Sequence, residues 1–331
     1  MPRRKSQLLN ERPRRFAYTR GLHELGGGVW AWLQPDGSWG WSNAGLVADG
    51  DDALLVDTLF DLRLTREMLE AMRAVEPRAA RIATVVNTHS NGDHTFGNAL
   101  VRGAEIVATR ACAEEMTREG PALLAELQHR ARELGPVLGD YLVHCFGAFD
   151  FRGIEPCPPT RTFEGQLALR VGAKPVELTQ VGPAHTRGDL LVHLPDDRVV
   201  FTGDILFIDG TPILWTGPVA NWIAACRRIE AMDVEVVVPG HGPITDRRGA
   251  ATVRGYLEYV HTEARERFDA GLSAREAAFD VALGDYAGWG DSERIAVNVA
   301  TLYREFSADP RPANPLELFG LMAEIREQRR R

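Results

Sequence analysis

Thr88-His89-Ser90-Asn91-Gly92-Asp93-His94 packs four potential metal ligands into one turn of chain. It follows Ile82-Ala83-Thr84-Val85-Val86, an apolar, β-branched run that reads as a buried strand. The residues after it, Thr95 to Leu100, read as the start of a short helix. A strand that empties into a ligand-rich loop at its carboxyl end is where open α/β sheets place their sites. Working outward, three more such pieces each end an apolar strand: Pro183-Ala184-His185-Thr186, Thr202-Gly203-Asp204 and Pro239-Gly240-His241-Gly242.

In this order the pieces resemble the metallo-β-lactamase superfamily, whose signature is His-x-His-x-Asp-His, then a distant His, an Asp and a last His. The likeness runs from about Gly28 to Asp246, with one departure: Asn91 stands where the signature has its second His. The resemblance implies two metal sites. The first uses His89, His185 and the position of Asn91; the second uses Asp93, His94 and His241, with Asp204 bridging both. Histidine and carboxylate ligands suit Zn²⁺, and a catalytic site keeps one coordination position for water. An amide oxygen is a poorer Zn²⁺ ligand than imidazole. The expectation is therefore one tightly bound Zn²⁺ and a second held more weakly, with Mn²⁺ or Fe²⁺ as alternative ions. Asp93 is expected to orient the attacking water besides ligating metal, which makes it the candidate catalytic residue. Taken singly, any of these histidines reads as a surface or core residue and either aspartate as a cap; it is the ordered set that points to metal. His144 could in principle stand in for the missing ligand, but a structural role is the preferred reading.

The flanking pattern sets the fold class. Strand-like runs appear at Val29–Trp32, Asn43–Val47 and Ala53–Asp57, with a turn at Pro35-Asp36-Gly37. Helical spacing covers Leu62 to Val75, and a strand is expected at Glu105–Ala108. Residues 111–151 read as a helical insertion broken at Gly120-Pro121 and Gly135-Pro136. A second half supplies strands at Leu167–Val171, Val176–Gln180, Leu190–Leu194 and Val199–Thr202, a helix at Val219–Met232 and a last strand at Val236–Val238. Two strand-rich halves with helices imply an α/β (α+β) fold, the αββα sandwich that the resemblance also implies. After Asp246 the pattern is helical. The expected layout is a basic, flexible segment 1–20, a catalytic domain 21–248, and a helical region 249–331 packed on the sandwich. Gly26-Gly27-Gly28 reads as a flexible lead into the first strand, since no lysine or strand–helix context makes it a phosphate loop.

Composition narrows the function. The chain has 331 residues and a formal charge of -8, which argues against a general nucleic-acid surface. No run approaches a membrane span, and no signal-peptide stretch is present, so the expected location is the cytoplasm. Cys112, Cys145, Cys157 and Cys226 form no C-x-x-C pair and read as free thiols. Of the tryptophans, Trp30 and Trp32 alternate onto one face and read as core. Trp39 and Trp41 could wall a pocket, although packing is favoured; Phe207 and Trp215, soon after Asp204, are the preferred pocket-lining pair. The resulting expectation is a metallo-hydrolase, thioesterase-like, that uses a metal-activated water on an acyl thioester or ester. Its partner would be a small-molecule acyl substrate, free or carrier-bound, with neither nucleic acid nor membrane involved. The oligomeric state is left open, a dimer included. Competing readings are a polyketide-type cyclase using the same metal, a β-lactamase or lactonase, and a metal-poor binding or scaffold protein.

Overall fold

A computed structural model describes residues 16–117, 120–309, 311 and 313–330. The basic segment before Phe16, and Pro310 in the tail, lie outside the described residues. Two sheets dominate. The first runs in spatial order β1 (Gly21–Gly26), β2 (Val29–Leu33), β3 (Ala44–Asp49), β4 (Asp52–Val56), β5 (Thr84–Val86), β6 (Glu105–Thr109) and β7 (Arg161–Phe163). It is antiparallel from β1 to β4 and parallel from β4 to β7. The second comprises β8 (Gln166–Val171), β9 (Lys174–Gln180), β10 (Leu190–Leu194), β11 (Val199–Phe201) and β12 (Val236–Val238), with β12 at one edge and β8 at the other.

Strand periodicity explains the layering. Leu54 and Val56 point into a core shared with Val176, Leu178, Val192 and Phe201 of the second sheet, whereas Leu55 between them joins the opposite layer. Both faces are covered, so these strands read as continuous apolar runs rather than as alternation. Helix α1 (Leu62–Val75) starts at Asp61, whose carboxylate accepts the Leu64 amide at 2.7 Å. It buries Leu64, Met68, Leu69 and Met72 against the first sheet. Each contributes about 1.5–3 kcal/mol from burial.

The loop after β5 turns into α2 (Gly92–Thr95) and a 3₁₀ segment, Phe96–Val101. The insertion holds α3 (Arg110–Met116), α4 (Pro121–Arg130) and α5 (Pro136–Phe146). Its two Gly-Pro breaks are helix starts, with Gly at the cap and Pro at the first helical position, where a missing N–H costs nothing. Helix α6 (Val219–Ala231) packs along α7 (Arg247–Asp269). The tail continues with α8 (Ala274–Asp280), α9 (Ile295–Ser307) and α10 (Pro315–Arg330). Tail residues Val253, Tyr256, Val299 and Met322 belong to the same apolar cluster as Leu55 and Trp222. Among the described residues, the tail therefore shares the outer core. No helix among the described residues is long and apolar enough to cross a membrane.

Three features depart from the sequence reading. Gly26-Gly27-Gly28 is no loose lead-in: it closes the β1–β2 hairpin, and all three glycines have positive φ. Strand β1 has only Leu25 buried among its six residues, so its apolar signal is faint. Strand β7 is equally short of signal, with two of its three residues exposed at a sheet edge.

Candidate metal centre

Every motif piece arrives at the same end of the sandwich because each follows the carboxyl end of a strand. His89, Asn91, Asp93 and His94 follow β5, Asp204 follows β11, and His241 follows β12. His185 sits in the connection between β9 and β10. The loops are set by local backbone demands. Gly203 has φ +49°, and a Cβ there would overlap the Thr88 hydroxyl. Gly92 is needed for space rather than for a left-handed turn, since the Phe96 ring covers it.

His89, His185 and Asp204 bring ligand atoms within 4.8 Å of one another, and so do Asp93, His94 and His241. Asp204 is the hub. Its carboxylate lies 3.1 Å from His94 Nε2, 3.3 Å from His185 Nε2, 3.5 Å from His241 Nε2 and 3.6 Å from His89 Nε2. Asp93 lies 3.2 Å from His241 Nε2 and keeps 13% of its side chain exposed, against 4% for Asp204, which places it on the open side.

In every imidazole the far nitrogen is occupied. His185 Nδ1 donates to the Ile213 carbonyl at 2.7 Å and His241 Nδ1 to the Gly37 carbonyl at 3.0 Å. His94 Nδ1 donates to Asp57 Oδ2 at 2.9 Å. His89 Nδ1 donates to Thr88 Oγ1 at 3.0 Å, and that hydroxyl donates on to Asp57 Oδ2 at 2.7 Å. With metal bound, each ring would sit in the tautomer whose Nε2 lone pair faces the centre. Three buried atoms there, His89 Nε2, His94 Nε2 and Asp204 Oδ1, make no well-directed hydrogen bond, although the last two lie 3.1 Å apart. Orphaned buried acceptors are costly unless a cation satisfies them. The donor set fits a pair of divalent ions with nitrogen and oxygen ligands.

The electrostatics carry the same demand for positive charge. Burial works against the charged form of His94, but Asp204, Asp93 and Asp57 outweigh it and hold the imidazole well above its ordinary value. His241, likewise opposed by burial, is raised to about 9 by Asp204 and Asp93. Burial works against Asp204 too, yet His241, His94 and His89 keep it ionised far below the usual carboxylate range. Burial pushes His89 and His185 down, so they present neutral rings. Without a metal ion, protons on His94 and His241 balance the carboxylates.

Asn91 reaches the first group. Its Oδ1 lies 2.8 Å from His185 Nε2, and although it caps α2 its side chain makes no capping bond. Since His185 Nδ1 carries the proton, Nε2 and the amide oxygen are both acceptors. Either the amide turns its NH₂ to the ring or a cation sits between them. His144 does not stand in for the missing ligand; it groups instead with Asp291 and Glu293.

Among the expected pocket residues, Phe207 is the most enclosed. It is 1% exposed and stacks on the His241 ring with centroids 5.0 Å apart, so one face of it backs a candidate ligand. The Arg294 guanidinium covers Phe207 at 5.3 Å and Trp39 at 4.6 Å, which is what seals it in. Trp41 packs on Phe149 of the insertion segment, 4.9 Å between rings. Trp39 and Trp215 stay half-buried, 6.3 Å apart. The sequence reading missed Asp57, although an acid closing the buried run Leu54-Leu55-Val56 is a signal of the same kind as Asp204. It also missed Arg294, a tail residue with no local pattern to mark it.

Comparison with known proteins agrees with this geometry. The family described as the metallo-beta-lactamase superfamily matches residues 37–241. The 2,4-dinitroanisole O-demethylase subunit alpha of Nocardioides sp. (strain JS1661) is 27% identical over 204 residues, which are 59% of this chain and 51% of that protein. Acyl-coenzyme A thioesterase MBLAC2 of Homo sapiens is 27% identical over 213 residues, 60% of this chain and 72% of that one. The solved structure of the sec-alkylsulfatase Pisa1 from Pseudomonas sp. matches with a TM-score of 0.64 at 18% identity, over 90% of this chain and 53% of that one, a likeness of fold. The chain spans about half the length of the first and last of these. With the family match covering more than half of its length and both candidate ligand groups built from the expected motifs, the chain belongs to the metallo-β-lactamase superfamily.

Proposed function

We propose that the chain is a metal-dependent hydrolase of acyl thioesters or esters. The observation that carries this reading is the Asp204 carboxylate within 3.1–3.6 Å of four inward-facing imidazole nitrogens, two of them orphaned. His89, His185 and Asp204, with Asn91, would hold one ion; Asp93, His94, His241 and Asp204 would hold the other. When bound, such ions lower the pKa of water towards neutrality and polarise the carbonyl they touch.

The chain's own residues do the rest. Asp93, on the open side, orients the attacking water and accepts its proton. Asp57 and the Gly37 and Ile213 carbonyls keep the imidazoles aimed inward. A thiolate leaves without being protonated, whereas an amide nitrogen needs a general acid, and the sequence motifs supply no residue for that task. Support for thioesters also comes from the acyl-coenzyme A thioesterase relative. The test is kcat/KM on metal-reconstituted protein across acyl thioesters, aryl esters, β-lactams, an alkyl sulfate and an activated aryl methyl ether. Thioester or ester turnover that rises with acyl bulk is expected, with feeble β-lactam cleavage. Efficient action on any of the last three substrate types without acyl turnover would replace this reading.

Metal binding is expected to be asymmetric. The first group offers one amide where its counterpart offers a complete set, so protein as purified should retain about one ion tightly. Asn91→His supplies the imidazole beside His185. It should tighten the second equivalent by more than the roughly 10–100-fold seen when only an orienting partner is altered. Metal analysis with chelator competition checks this, and two equally tight ions in the unmodified protein would refute the asymmetry.

A further inference from the structure

We propose that helix α10 completes the acyl-binding surface of the centre and that Phe319 sets which acyl groups are accepted, an inference that rests on the hydrolase reading above. The two loops that orient ligand histidines each carry a tryptophan two residues on. Gly37, whose carbonyl holds His241, leads to Trp39; Ile213, whose carbonyl holds His185, leads to Trp215. The second loop is pinned further, with the Thr216 amide on the His185 carbonyl at 3.2 Å and the Gly217 amide on the Ala184 carbonyl at 2.8 Å. The tryptophan-bearing loops are therefore tethered one to His241 and one to His185, and their rings come within 6.3 Å of each other.

A third ring joins them. Phe319 of α10 lies 5.4 Å from Trp39, 6.3 Å from Trp215 and 5.6 Å from Phe146 of the insertion. Trp39, Trp215 and Phe319 are all half-buried, unlike Phe207 behind the ligand. Beneath Trp39 sits the Arg294 guanidinium, held by the Thr211 carbonyl at 3.0 Å and by Asp291 at 2.9 Å, which stiffens that wall. What the three rings offer a ligand is apolar, aromatic surface with tethered geometry. That chemistry recognises a bulky apolar acyl group through contact area and ring stacking. Phe319 is the member that another segment contributes, so it can alter acyl preference without disturbing the ligands. Its helix is anchored separately: Met322 and Ile325 are buried, and the Tyr141 hydroxyl donates to Met322 Sδ at 3.6 Å.

The experiment compares wild type with Phe319→Ala and Phe319→Trp in two arms. The first measures kcat and KM over saturated acyl thioesters from short to long chains. The second follows tryptophan fluorescence as saturated fatty carboxylates of increasing length are added, a readout that needs no turnover; Trp39→Phe and Trp215→Phe assign the signal. Phe319→Ala should lower kcat/KM for medium-chain substrates about tenfold, mainly through KM, the equivalent of one to two lost CH₂ contacts. Carboxylate affinity should fall in parallel, while metal content stays at the wild-type level. Phe319→Trp should shift preference to shorter chains. A wild type that binds carboxylates through Trp39 and Trp215 but cleaves no thioester would overturn the hydrolase reading and leave this surface standing. Identical length profiles and carboxylate affinities in all three proteins, or no carboxylate binding at all, would overturn the surface itself.

Discussion

Asp204→Ala is expected to strip the centre of metal and lower turnover by roughly 10³-fold. The carboxylate lies within 3.6 Å of all four imidazole Nε2 atoms, and no other carboxylate at the centre does so. Losing the carboxylate common to both groups would remove metal-assisted activation of water, and ~4 kcal/mol of lost transition-state stabilisation corresponds to roughly 10³ in rate. The fold should nonetheless survive, because the histidines can discharge. Asp204 is the largest influence raising His241 to about 9, so its loss lets that imidazole fall back and shed its proton. The sign follows for the metal-free proteins. In wild type, the raised His241 value contributes stability that is fully present below about pH 6.5 and disappears as pH rises through about 9. Metal-free wild type should therefore melt progressively lower across that window, and Asp204→Ala should show a shallower dependence there, since Asp93 still faces His241. Metal content, turnover and melting curves from pH 6 to 10 test all three statements. Wild-type metal content and turnover in the variant would reduce Asp204 to a turn residue.

The second large effect is expected at Asp57, which touches no substrate. It is 2% exposed and accepts three hydrogen bonds, from the Thr88 amide and hydroxyl at 2.7 Å each and from His94 Nδ1 at 2.9 Å. Through Thr88 it also fixes His89, so one carboxylate sets the tautomer of a ligand in each group. Burial pushes its value up, and His94 with the Thr88 donors draws it back. Asp57→Asn keeps the volume and, at φ 60°, suits the left-handed backbone, but turns an NH₂ towards donors. A loss of 10–100-fold in metal affinity is expected. Asp57→Ala leaves three buried donors unanswered as well, which adds about 3–5 kcal/mol of destabilisation. Chelator-competition titration and thermal melts separate the two contributions. Unchanged affinity in Asp57→Asn would show that the histidines need no anionic support.

The amino-acid sequence by itself determined the candidate ligand set and the two-layer sheet framework. Both are local: a β-branched run such as Val236-Val237-Val238 stops at Pro239-Gly240, and the residue left at its carboxyl end is His241. Because such strands are buried on both faces, their register is set and every motif is delivered to one end of the sandwich. Strands β1 and β7 escaped notice for the same reason, since half-exposed edge strands carry little apolar pattern.

Tertiary structure alone decided how the candidate ligands are supported and which aromatic rings gather around the loops that hold them. The acceptors that aim His241 and His185 are main-chain carbonyls of Gly37 and Ile213, 204 and 28 residues away from their rings. A carbonyl is common to every residue type, so no side-chain pattern announces it. Phe207 reads in sequence as a pocket residue; it became a backing for His241 because Arg294, from the tail, lies over its ring. Phe319 gains its place beside Trp39 and Trp215 through the packing of α10 on α5 and α9. Chemistry that resides in side chains at strand ends is legible along the chain. Orientation and enclosure depend on which distant surfaces bury each other, and that is settled by the packed core.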